Sequence, residues 1–268
     1  MSRFNFPAKI KDEDSPRLFK KKMPIKRPPL INNEIYHIVV RGVGDSLIFK
    51  DINDYYRGIF SIYEFNNADP VSIIKRRQEI QNIKRKLRGQ SSSKLASGES
   101  FKITDKRNYL VEVLAFYLMP NHIHLLLRQI KKQGITQFMR KFGTGYVSYF
   151  NKKYDRKGHL FQNRFRAVHI KNDKQLKNVF IYIHGNGVSL IEPKWKERGI
   201  KDLKKIINFL ENYKWSSYQD YIGKNNFPSV TSRKFLLKLM GGKNSCRRAI
   251  NNYVKSKNFK DFKKVALE

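Results

Sequence analysis

The residues best equipped for chemistry in this chain are His122 and His124, in the stretch VEVLAFYLMPNHIHLLLRQ over 111–129. Side chains of a strand alternate between faces, so the two imidazoles point one way and Ile123, Leu125 and Leu127 the other. Two imidazoles on one face at that spacing can share a metal ion. The spacing alone leaves open both this role and that of two ordinary half-buried histidines. If the apolar side chains face the core, the histidines are expected on the exposed face of the sheet.

The elements that must position the pair follow from pattern. Strands over 109–118 and 122–129, joined tightly through Met119, Pro120 and Asn121, form an antiparallel hairpin. An earlier strand over 34–41, EIYHIVVR, ends at Gly42 and Gly44; it carries His37, read as structural because nothing ligand-like lies beside it in sequence. Asp51 and Asn53 can cap a helix over 54–66, and Ile135, Phe138, Phe142, Tyr146, Tyr149 and Phe150 form the apolar stripe of another over 134–154. A strand over 165–170 follows, then a helix capped by Asp173 and terminated by Gly185 and Gly187. Strand, helix, strand, strand, helix, strand, helix is the order of a split βαβ unit. The expected fold class is therefore α+β, a ferredoxin-like antiparallel sheet with helices on one face. A C-terminal helical extension follows, with helical stretches over 233–240 and 245–254.

Charge narrows the partner. Fifty-six Lys and Arg against 22 Asp and Glu give +34 over 268 residues, far beyond what solubility requires, and this implies a polyanion, nucleic acid above all. Between the stripe helix and the next strand, Arg156, Lys157, Arg164 and Arg166 interleave with His159 and Phe161. Charge mixed with stacking surface is the combination that single-stranded nucleic-acid sites use. Residues 1–30 read as a basic, loosely ordered arm and 71–107 as a basic insertion into a catalytic domain spanning 31–222, with 223–268 as the extension. The single cysteine, Cys246, excludes an internal disulfide and fits a reducing, cytoplasmic setting. No apolar run reaches the length of a membrane span.

Six segments in order carry a family resemblance: YHIVVRG over 36–42, MPNHIHLLL over 119–127, YFN over 149–151, GHLFQNRFRA over 158–167, YIHGN over 182–186 and YKWSSYQDY over 213–221. They resemble the single-tyrosine HUH transposases of the insertion-sequence-200 type, most closely the REP-associated tyrosine transposase branch. The resemblance implies His122, His124 and Asn186 as ligands of a divalent Mg or Mn ion and Tyr182 as the nucleophile. It implies metal-dependent cleavage and transfer of single-stranded or hairpin DNA through a 5′-phosphotyrosine, the chemistry of DNA transposition. Where that family ends this motif in YIHxNPV, the chain reads YIHGNGV, so Gly187 is expected to loosen the helix end. A binding module of the same fold with structural histidines would bind DNA or RNA without metal and form no adduct. A metal-dependent hydrolase would release both ends. Monomer and homodimer are both compatible with the sequence.

Overall fold

The computed structural model describes residues 27–88, 105, 107–162 and 164–256. Most of the expected arm (1–26) and the polar part of the insertion (89–104) lie outside the described residues. Four strands, β1 (Ile35–Arg41), β2 (Val111–Met119), β3 (His122–Gln129) and β4 (Arg166–Ile170), form one sheet in the order β2-β3-β1-β4. All three pairings are antiparallel, which is the ferredoxin-like topology expected from the element order.

Helices α1 (Ile52–Glu64) and α3 (Gly134–Lys153) cover one face. The sequence makes α1 begin where it does: Asp51 accepts from the backbone N–H groups of Asn53 and Asp54, and the Asp54 carboxylate reaches back to the Asp51 N–H. The stripe Ile135, Phe138, Phe142, Tyr146 and Phe150 is buried against Ile38, Val40, Ile123, Leu125 and Leu127. Basic helix α2 (Ile73–Arg88) leaves this layer and is tied to α1 by Arg76 Nε on Glu64 Oε1 at 2.8 Å.

The opposite face is covered too, which corrects the expectation of helices on one face only. Helix α4 (Asp173–Gly185) lies on it, with α5 (Trp195–Arg198), α6 (Leu203–Asn212), α7 (Tyr218–Tyr221), α8 (Lys234–Met240) and α9 (Lys243–Lys255) completing the layer. Leu176, Val179, Phe180 and Ile183 pack on Leu114, Ala115, Tyr117 and Leu126, joined by Leu236, Met240 and Cys246. A register shift between Val113 and Ala115 lets both Leu114 and Ala115 serve this second core. The physical reason lies in the chain after β4, which carries enough apolar surface to return over the sheet. No described helix is long and apolar enough to cross a membrane.

Candidate active site

His122 and His124 open β3, an inner strand, at the end of the sheet where the hairpin turns. The turn is pinned from outside: the Pro120 carbonyl accepts from Ile48 N at 2.8 Å and Phe49 N at 3.0 Å, and the Asn121 carbonyl accepts from Gly42 N at 2.8 Å. Contrary to expectation, the pair is not solvent-facing: His122 is 5% and His124 0% exposed, because α4 covers their face. His122 Nδ1 is 2.7 Å from Asn121 Oδ1, and His124 Nδ1 is 3.0 Å from His37 Nε2. If each Nδ1 carries the ring proton, as an amide oxygen facing His122 requires, the Nε2 lone pair is each ring's donor to a cation. Asn186 Nδ2 lies 3.5 Å from His124 Nε2, and rotation of that amide by half a turn would present Oδ1 instead. Two imidazoles and an amide are thus within reach of one another. Among the described residues no cluster of three or more His, Cys, Asp or Glu side chains could hold a metal.

Helix α4 brings Tyr182 and Asn186 to the same place, one turn apart on one side. Its N-cap is Asn172, whose side chain accepts from Gln175 N, rather than Asp173, which is the first helical residue. The Tyr182 ring stands edge-on to His124 at 5.9 Å and to His37 at 6.1 Å between centroids. Tyr182 is 1% exposed, and the ammonium of Lys196 in α5 lies 5.8 Å from its ring centre. Tyr149 is on the other face, its hydroxyl 3.0 Å from Asp54 Oδ1, and burial first, with that carboxylate, raises its pKa. His184 is no acid–base group: Nδ1 meets the Phe180 carbonyl at 2.9 Å, Nε2 meets Ser217 Oγ at 2.9 Å, and burial lowers its pKa to about 3.

Gly185 and Gly187 do not release the chain as expected. It continues through Asn186–Leu190 as a tighter helical turn with Gly187 buried. A Cβ at Gly187 would collide with the Tyr117 hydroxyl and come within 2.9 Å of Leu210 Cδ2. The space beside Gly187 is filled by a tyrosine from β2, so the helix end is packed rather than loose.

The basic loop divides. Lys157, His159, Arg164 and Arg166 are exposed. Phe161 is half-buried, its ring 6.3 Å from Phe142 and 6.4 Å from Tyr146 at the margin of the first core. Arg156 is half-buried with its guanidinium 5.6 Å over Phe150. Arg166 is the member of this group closest in register to the histidines: Tyr117, His124, Val39 and Arg166 form one row across the four strands. Directly paired residues share a face, which sets Arg166 roughly 10 Å from His124 on the histidine side. Arg27 adds charge at the rim, stacked 3.8 Å over Phe165, its pKa lowered by burial and by neighbouring Arg164.

Sequence reasoning missed His37 and Lys196. Alternation puts His37 on the same face as Val39, and only the strand pairing reveals that His124 lies beside it. For Lys196, in a four-residue helix, the sequence carried no signal.

Comparison with known proteins bears on this arrangement. The family model described as "Transposase IS200 like" matches residues 71–186. That segment is therefore similar to the IS200-like transposases. The match covers less than half of the chain but includes His122, His124, Tyr182 and Asn186. A solved REP-associated tyrosine transposase, bound to a REP hairpin, is similar at 13% identity with a TM-score of 0.44, over 78% of this chain and 92% of that one. No curated protein matches the sequence.

Proposed function

We propose that the chain cleaves and rejoins single-stranded DNA with Tyr182 as the nucleophile. The observation that carries this reading is the convergence of Tyr182 and Asn186 from α4 with His122 and His124 from β3, inside the segment that matches the transposase family. The phenolic oxygen of Tyr182 attacks the phosphorus and forms a P–O bond. The bond to the 3′ oxygen breaks, the phenol proton passes to water, and the 3′ oxygen takes up a proton and leaves as a free hydroxyl. The phosphate is held as a 5′-phosphotyrosine, and attack by another 3′ hydroxyl reverses the step without an external energy source.

A tyrosine with a pKa near 10 attacks poorly at neutral pH, so charge must be neutralised at the phosphate. His122 Nε2, His124 Nε2 and the Asn186 amide oxygen fit a divalent cation, because the Asn121 and His37 contacts fix both rings by their other nitrogens. Two nitrogen donors suit Mn better than Mg, which favours all-oxygen sites. Such a cation supplies positive charge to the phosphoryl oxygens as the phosphorus is attacked. Arg166 reaches the same face and is assigned to a phosphate oxygen of the bound strand, with Lys157, His159 and Arg164 along its path.

The burial of Tyr182 favours one alternative, a DNA-binding protein of this fold that does not cleave. Labelled hairpin DNA incubated with Mn and resolved on a denaturing gel separates the two. A covalent complex in the wild-type protein that is lost in Tyr182→Phe supports cleavage, and undiminished adduct in Tyr182→Phe refutes the assignment. The variant removes one oxygen, so its stability should fall by no more than about 1.5 kcal/mol.

A further inference from the structure

The segment YKWSSYQDY has no part in the reaction above, yet it builds a distinctive surface. Four near-parallel rings rise from the first core to the solvent. Phe49 stacks on Tyr55 at 4.6 Å, Tyr55 on Trp215 at 4.8 Å, and Trp215 faces Phe227 at 6.3 Å, with interplanar angles of 17°, 20° and 21°. The inner two are buried and the outer two half-buried. Tyr56, 42% exposed, closes one side edge-on to the indole at 5.0 Å. The Lys214 ammonium lies 4.7 Å from the Tyr56 ring centre and 5.6 Å from that of Trp215, and it also donates to the Tyr56 hydroxyl.

We infer that Tyr56, Trp215, Phe227 and Lys214 form a stacking platform for the bases of single-stranded DNA. Simple closure of the core edge would need only apolar bulk. Here flat rings continue a ladder to the surface and end beside a cation, which offers π-faces to a base and a charge to its phosphate. The platform is held rigid by its backbone. The Trp215 carbonyl accepts from Leu118 N at 2.9 Å, Ser217 N donates to the Phe116 carbonyl at 3.0 Å, and the Asp220 carboxylate accepts from Asn226 N at 3.0 Å and Phe227 N at 3.1 Å. A preformed surface loses little freedom when it binds.

Its location fits a strand running to the site. Trp215 is bonded at Leu118, one residue before Met119, which pairs with His122. The platform thus lies along the outer edge of β2 at the histidine end of the sheet. A strand crossing that edge would set bases on the rings while its backbone continued towards Tyr182. The inference rests on DNA as the partner, as proposed above, but not on Tyr182 as the nucleophile.

The chain has two tryptophans, Trp195 and Trp215, and Trp195 is buried. In Trp195→Phe protein with chelator present, Trp215 emission is followed as oligo-dT is added, alongside the anisotropy of the labelled oligonucleotide. Quenching that tracks the anisotropy isotherm is expected. In the otherwise wild-type protein, Tyr56→Leu with Lys214→Gln should keep the melting temperature and weaken oligo-dT binding roughly tenfold. Saturating anisotropy with unmoved Trp215 emission, or wild-type affinity in the double variant, overturns the platform. A flat anisotropy trace removes the DNA partner itself and the platform with it.

Discussion

His37 is the residue whose role differs most between sequence and structure. Its Nε2 lies 3.0 Å from His124 Nδ1 and both rings are buried, so the contact orients the His124 ring and leaves its Nε2 facing Asn186. Partners of this kind alter metal affinity about 10- to 100-fold when removed. His37→Ala should therefore weaken Mn binding by that order in titration calorimetry, with no DNA present, while His122 stays in place. Unchanged Mn affinity would show that His37 only packs. The histidine pair was legible because strand alternation is a local rule. His37 was not, because its partner lies 87 residues away and only the β1–β3 register brings the two rings together. Burial of the pair was likewise misjudged from alternation. Yet LAFYLM and IHLLL are nearly unbroken apolar runs, the pattern of strands covered on both faces.

The end of α4 shows how two elements can compensate for one residue. Gly187 stands where the resembling family has proline, and the sequence read it as a loosened turn. The structure fills the position with the Tyr117 hydroxyl from β2, whose burial drives its pKa well above the usual tyrosine value and keeps it protonated. The order of the elements was readable from period and caps. This fit was not, because it depends on β2 and the turn after α4 meeting in space. Gly187→Ala should then destabilise the protein by about 1–3 kcal/mol in denaturant unfolding, the cost of overpacking a filled site. Adding Tyr117→Phe should recover part of the loss by removing the colliding oxygen, leaving the ring and Leu210 to account for the remainder. Equal stability of Gly187→Ala and the parent would mean that the turn is not tightly packed. Because Asn186 is the preceding residue, the single variant should also lower the yield of the covalent complex.

At the scale of the whole molecule, the +34 charge and the stacking rings would contribute to the proposed DNA binding in ways that salt can separate. Each neutralised phosphate releases counterions, so affinity falls with a slope of about −0.7 per phosphate for single strands. If 6 to 10 phosphates are engaged, oligo-dT affinity should drop roughly 10²- to 10⁴-fold between about 50 and 200 mM salt. Stacking carries no such dependence, because a base on an indole displaces no counterions. Arg166→Gln and Lys214→Gln should each make the slope shallower by something near the value for one phosphate. Tyr56→Leu should shift the whole line to weaker binding and leave its slope unaltered. A parallel shift for the two glutamine variants would mean that these cations do not touch the DNA backbone, and a change of slope for Tyr56→Leu would mean that its ring acts only by holding Lys214 in place. Binding that is nearly independent of salt would be incompatible with a polyanionic partner of any kind, since so large an excess of positive charge could not then be engaged with phosphate.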